Sequence, residues 1–284
     1  LVALGTGGNE LGGVTLLTNG LRDREMILDF FEAISGLRMN HAFLRPGGVA
    51  NDLPDYGLDK LDETLDWLDA RLPDFDKMCN DNPILKKRML GISYLDLTGC
   101  MAIGVTGTRL RAAGVEWDLR KKQPHLGYET YDFDIPVWDT CDAYGAFRVR
   151  LAEMYESLKI CRQCRDRLAD TQGQPFMIED PKISRPANLA VYNDGQGNSF
   201  EHVRKIMGED MESLIHHFKL VTEGIKVPAG QAYVATESPK GELACHVVSD
   251  GGTHPYRVHL RDPGFHHLQA LPAMCEGGML SDIV

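Results

Sequence analysis

The sequence predicts an α+β fold that is predominantly α: a bundle of long helices with a small antiparallel β meander near the C-terminus. Three observations carry this. Apolar residues recur at three- and four-residue spacing in several stretches before residue 222. The period then changes to two within Gln231 to Arg261. Pro and Gly clusters, rather than further alternating runs, separate the helical stretches.

The first seam is Ile27, Phe30, Phe31 and Ile34, and Ser35-Gly36 is a usual helix exit. Arg45-Pro46-Gly47-Gly48 cannot continue a helix and reads as a loop, with Asp52-Leu53-Pro54 leading onward. Leu58, Leu61, Leu65, Leu68, Leu72 and Phe75 form the next seam, which Pro73 is expected to end or kink. Gly99 to Gly114 reads as short helical and irregular pieces rather than a strand pair. From Tyr144 a long amphipathic helix runs to about Leu168 with Phe147, Leu151, Met154, Leu158 and Cys161 on its buried side. A further helix places Met207, Met211, Leu214, Ile215, Phe218 and Val221 on one side and closes at Gly224. The intervening Gln172 to Asn198, with Pro175, Pro181, Pro186, Gly195 and Gly197, reads as a loop excursion. Tyr256, Val258 and Leu260 alternate with Arg257, His259 and Arg261. Together with the turns Pro239-Lys240-Gly241 and Asp250-Gly251-Gly252 they make Gln231 to Arg261 a three-stranded meander.

The expected organisation is one domain over 1–284, with a mainly helical 1–226, the meander at 227–262 and the start of a helical segment at 263–284. Leu1 in place of Met and Val284 within an apolar pattern suggest truncation at both ends. With 43% apolar residues among 284, the chain has enough to bury a sizeable core. A net charge of -11 and no run of five or more basic residues argue against nucleic acid or an electrostatic membrane anchor. No run reaches the about 18 apolar residues of a membrane helix. The odd number of cysteines, seven, suits reduced thiols better than a disulfide framework.

Candidate chemistry is thin on pattern alone. Cys161-Arg-Gln-Cys164 offers half a metal site but no second pair and no His at ligand spacing, so Cys161 reads as a small core residue. His216 and His217 point about 100° apart on a helix and cannot share one metal, and no metal site is expected. Gly5-Thr6-Gly7-Gly8 resembles a phosphate loop only loosely, lacking the Lys-Ser/Thr that follows in one. Glu10 then falls in the first turn of the following helix, where the macrodipole favours a carboxylate. Trp117 to Pro124, with Arg120, Lys121 and Lys122 beside Asp118, reads as a solvated charge run.

Longer stretches carry more. Leu37-Arg-Met-Asn-His-Ala-Phe-Leu-Arg-Pro-Gly-Gly-Val49 with Asp52-Leu-Pro54, and Trp117-Asp-Leu-Arg-Lys121, resemble the family of quinone-site D-type subunits of respiratory complex I, the proton-pumping NADH-quinone oxidoreductase. So do His216 to Gly224, Glu237-Ser-Pro-Lys-Gly-Glu242, and Val248 to Gly252 with Pro255-Tyr-Arg257. The resemblance runs over nearly the whole chain. It implies the fold of the nickel-iron hydrogenase large subunit without its metal ligands, and a quinone cavity facing the iron-sulfur cluster of a partner subunit. No cofactor is then bound by this chain alone. Quinone is the substrate, while iron-sulfur clusters, FMN and NADH belong to partner subunits. Iron-sulfur and membrane subunits are the implied partners, and the implied location is peripheral, on the cytoplasmic side of the cell membrane.

Carried over by position, Thr6 lines the headgroup end of the cavity, and Glu10 stands where many relatives carry an Asp bonded to the quinone-binding His. Glu10 would orient that His and help resupply protons. The His and a Tyr that hold the headgroup lie upstream of Leu1 in relatives, so an isolated chain is expected to be inactive. Asn40 aligns with a redox-linked His near the terminal cluster, with His41 beside it; Asn does not titrate. Lys240 takes the turn position that in the hydrogenases carries an Arg over the metal site, which places it at the cavity wall. Two rival readings are a membrane-bound nickel-iron hydrogenase large subunit and a scaffold subunit without a redox role.

Overall fold

The first two helices fold back on each other because three glycines let them touch. In the computed structural model, which describes residues 1–45, 47–171, 173–177, 208, 211–224 and 226–283, Gly5-Thr-Gly-Gly8 is no loop but the middle of helix α1 (Val2–Glu10). A methyl at Gly5 would lie 3.2 Å from Leu17 Cα, and one at Gly8 2.5 Å from Leu16 Cδ1. These glycines therefore serve the close approach of α1 to α2 (Val14–Ser35), not a phosphate. Gly20 meets the carbonyl of Leu1 from the other side. Helix α2 ends as its sequence predicts: Gly36 takes φ +77°, and its N–H reaches the Glu32 carbonyl at 2.8 Å.

Strands β1 (Leu44–Arg45) and β2 (Gly48–Val49) pair in a minimal hairpin, so the expected loop at Arg45 to Gly48 is a tight turn with Gly47 at φ +90°. Helix α3 (Gly57–Asn80) continues past Pro73, so the proline does not end it. Losing one backbone bond costs about 3 kcal/mol. Continuing past it buries Phe75 and Cys79 completely, in one cluster with Leu4, Tyr144, Phe147 and Leu151, which offsets that cost. Short helices α4 (Pro83–Met89), α5 (Leu97–Ile103), α6 (Thr108–Arg111) and α7 (Leu119–Lys122) follow. The glycine-rich stretch is thus helical pieces, as its composition suggests.

Helix α8 (Ala143–Thr171) is the central column. Asp142 fixes its start, accepting from Gly145 N at 2.7 Å and Gly91 N at 2.9 Å. Its seam packs Leu158 against Leu65 and Leu72 of α3. Beyond Leu158 the facing surfaces become charged: Arg165 forks onto Asp62, and Arg162 reaches Asp66 and Asp69 at 2.6 Å each. With that contact ionic rather than apolar, Cys161 is exposed and not part of the core.

Of the expected loop excursion, Gln172 and residues 178–198 lie outside the described residues, as does Met207. Helix α9 (Met211–Thr222) carries Met211, Leu214, Ile215 and Phe218 exposed and closes at Gly224 with φ +83°. The meander forms as its period predicts, strands β3 (Gly230–Ser238), β4 (Gly241–Ser249) and β5 (Arg257–Arg261) pairing in that order. One face carries the buried Ala244 and Arg261, whose Nη2 donates to the Gly104 carbonyl just past α5 at 3.0 Å. The other face leaves Val234, Val258 and Leu260 exposed. Helix α10 (Pro263–Cys275) closes over the cluster of Leu95, Cys100, Val105 and Leu110 through Ala270. Among the described residues no helix is long and apolar enough to cross a membrane.

Candidate functional site

A cavity of about 470 Å³ opens between the start of α1, the middle of α8, the α6–α7 region and the β3–β4 turn. Thr6 borders it from α1, its hydroxyl donating to the Val2 carbonyl at 2.9 Å. Lys240 borders it from the two-residue turn between Ser238 and Gly241. That turn is seated by a backbone approach only glycine allows. Gly107 has φ +73°, and a Cβ there would lie 2.3 Å from the Lys240 carbonyl. Thr106 Oγ1 accepts from Glu242 N at 3.0 Å and fixes the same contact.

The back wall is a buried ionic network centred on Arg111 of α6. Its Nε donates to Glu153 Oε1 of α8 at 2.5 Å, and its Nη1 to Glu237 Oε1 of β3 and to the Trp117 carbonyl at 2.8 Å each. The other oxygen of Glu237 accepts from Leu119 N at 3.3 Å. Asp118 caps α7 and holds Arg120 in a two-oxygen fork, with Arg120 Nη2 to Oδ2 at 2.6 Å. The stretch read as a solvated charge run is therefore partly interior, with Asp118 buried, because capping and pairing compensate the charge. Burial pushes the Asp118 carboxyl up, but the hydrogen bonds and charge of Arg120 bring it below its ordinary value. At Glu153 burial prevails over Arg111 and raises the carboxyl's pKa.

Arg150, one turn before Glu153 on α8, lines the cavity and, among the described residues, makes one hydrogen bond, Nη2 to Thr108 Oγ1 at 3.2 Å. Among the described residues no carboxylate forms an ion pair with it. Burial lowers its pKa, with Arg109 and Arg111 adding to the effect and Glu153 opposing it. Lys240 is lowered too, by burial and then by Arg150. The arrangement offers a polar guest two hydrogen-bonding cations, a hydroxyl and a shielded carboxyl in a space sized for a small ring compound.

The structure thus brings Thr6 and Lys240 together and leaves the other predicted residues elsewhere. Glu10 is the last residue of α1, exposed and off the cavity, so it meets the helix's negative end rather than a first turn. Asn40 is exposed at φ +56°, just past the far end of α2. His41 packs its ring on Phe31, centroids 4.8 Å apart, and its Nδ1 is buried with no hydrogen-bond partner among the described residues. Phe31 is on the order of 15 Å along α2 from Gly20, which touches Leu1. His216 and His217 lie within α9. Periodicity misses Arg111, Arg150 and Glu153. Their only signal is charge at positions 150 and 153, next to the apolar positions 147, 151 and 154 of one helix.

Comparison with known proteins follows the same lines. The chain is 61% identical over its whole length to the D-type subunit of the NADH-quinone oxidoreductase of Cutibacterium acnes, and covers 66% of that protein. It is 60% identical, again over its whole length, to the corresponding proteins of Nocardioides sp. and Nocardia farcinica, covering 64% and 62% of them. It therefore spans slightly less than two thirds of these relatives. Residues 10–284 match the family described as respiratory-chain NADH dehydrogenase, 49 Kd subunit, and the chain belongs to that family.

Proposed function

We propose that this chain forms one wall of the quinone-reduction cavity of an NADH-quinone oxidoreductase. The observation that carries the reading is the meeting of Thr6 and Lys240, far apart in sequence, on one cavity. The sequence resemblance assigns both residues to the cavity of relatives, and their meeting on one cavity here supports the reading. The ring of a quinone fits the space, and its carbonyl oxygens accept from the donors there. Reduction needs two electrons and two protons. The electrons come from an iron-sulfur cluster of a partner subunit, fed by NADH through FMN in further subunits. On this reading Asn40 and His41 face that cluster. Glu10 orients a headgroup-binding His contributed by the part of the relatives that precedes position 1. Membrane subunits complete the pump, and this chain sits peripherally on the cytoplasmic side. With the family established, the hydrogenase reading loses its basis.

The test is Thr6→Phe in the full-length subunit within the assembled complex. A ring at this position takes up space at the headgroup end of the cavity, so NADH:quinone turnover falls by about tenfold or more while NADH:ferricyanide turnover, which needs only the upstream cofactors, persists. Unchanged quinone turnover in the assembled variant refutes the reading.

A further inference from the structure

Among the described residues the charges around the cavity do not cancel. Arg120 is occupied by Asp118, and Arg111 by Glu153 and Glu237. Arg150 and Lys240 remain, and neither forms an ion pair among the described residues. Four cations thus stand against three carboxylates. A guanidinium largely withdrawn from water with one neutral acceptor is an expensive arrangement, kept where something else pairs with it. Arg150 reaches the cavity from α8 and Lys240 from the β3–β4 turn, so the two donors converge from different elements on one volume. Each element is pinned: the turn by the Gly107 contact, and Arg150 by Thr108, itself buried. Mutual repulsion, visible in the lowering of Lys240 by Arg150, is relieved when negative charge arrives between them.

We propose that Arg150 and Lys240 are an anion-stabilising pair that holds the substrate oxygen on which negative charge develops when the quinone is reduced. The inference rests on the quinone reading and adds to it the charge state for which the site is built. A neutral quinone gains ordinary hydrogen bonds from the pair. The oxygen that receives electrons gains charge-assisted ones until a proton reaches it, so the pair binds the reacting state more tightly than the ground state.

The experiment uses the assembled complex with the full-length subunit. Equilibrium binding is measured for 2-hydroxy-1,4-naphthoquinone, an anion at neutral pH, and for uncharged 2-methyl-1,4-naphthoquinone. Arg150→Gln and Lys240→Met each weaken the anion by about tenfold to a hundredfold and the neutral ring by about threefold or less. They lower kcat for quinone reduction more than they raise KM, and Arg150→Lys recovers part of the loss. Equal losses for both probes, or none, overturn the proposal. If Arg150→Gln fails to assemble, Lys240→Met on the exposed turn decides alone. Quinone turnover surviving Thr6→Phe removes the underlying quinone reading. A blocked Thr6→Phe with an unmoved anion-to-neutral ratio removes only the pair.

Discussion

Arg111 donates to Glu237 across 2.8 Å with both side chains almost wholly withdrawn from solvent, at 1% and 4% exposure. Through this contact the β meander is bound to the helical bundle, because Arg111 also grips Glu153 of α8 and the Trp117 carbonyl. Removing Glu237 leaves Arg111 paired with Glu153 but takes from it one charged acceptor, and takes the acceptor of Leu119 N. Glu237→Ala is therefore expected to cost about 1.5–3 kcal/mol in urea unfolding. Glu237→Gln keeps an acceptor for Arg111 and costs less. A loss under about 1 kcal/mol for the Ala variant would mean that water replaces the carboxylate.

Asp118 and Glu153 make stability depend on pH with opposite signs. Asp118 has its folded pKa depressed by Arg120 against the push of burial. Its contribution is present above the unfolded value of about 3.9 and is lost as pH falls through the folded value. Glu153 is raised by burial. The folded state then holds its proton more tightly, so the stability it lends is present below the unfolded value of about 4.3 and is lost as pH rises through the folded value. Thermal unfolding from pH 3 to 7 is expected to show a shallower acid limb in Asp118→Asn. In Glu153→Gln the decline above about pH 4.3 is expected to flatten. Parallel curves for wild type and both variants would show that neither carboxyl titrates differently on folding.

How much of this the sequence discloses depends on whether the cause is local. Helices α2, α3 and α8 are legible because one-sided burial leaves a 3.6-residue signature, and the meander because alternation leaves a period of two. The α1 glycines mislead, since glycine weakens a helix intrinsically and its advantage here comes from Leu16 and Leu17 on another helix. Cys161 misleads for a related reason: the 3.6 spacing continues, but the facing surface of α3 has turned from leucines to Asp62, Asp66 and Asp69. In the site, Thr6 and Lys240 are reached through resemblance, while Arg150 and Glu153 look like ordinary solvent-facing charges of an amphipathic helix. Only the folded arrangement sets them against a cavity wall.

The α1–α2 contact gives a direct test of the glycine argument. In Gly8→Ala the new methyl would sit 2.5 Å from Leu16 Cδ1 and 2.8 Å from Leu16 Cβ. Overpacking of this kind costs about 1–3 kcal/mol. Gly7→Ala, with nothing within 4 Å of its Cβ, should be neutral or slightly stabilising, as Ala is the better helix former. Denaturant midpoints that order the two variants the other way would show that α1 does not pack on α2 through Gly8.

Gly107→Ala should act on Lys240 without touching its side chain. Position 107 combines φ +73° with 2.3 Å from a would-be Cβ to the Lys240 carbonyl and 2.6 Å to Gly241 Cα. Both obstacles are backbone, so no side-chain rotation relieves them, and the β3–β4 turn has to move away from the α6 loop. The first bond to go is Glu242 N to Thr106 Oγ1, now 3.0 Å. Amide exchange at Glu242 is expected to speed up by about tenfold or more in Gly107→Ala, while amides deep in α8 keep their protection. The same displacement withdraws the Lys240 ammonium from the cavity. Gly107→Ala should therefore reproduce the anion-binding loss of Lys240→Met, and combining the two should add little further loss, since both remove one interaction. Additive losses would instead place the effect of Gly107 on Arg150 or on the α6 helix that begins at Thr108.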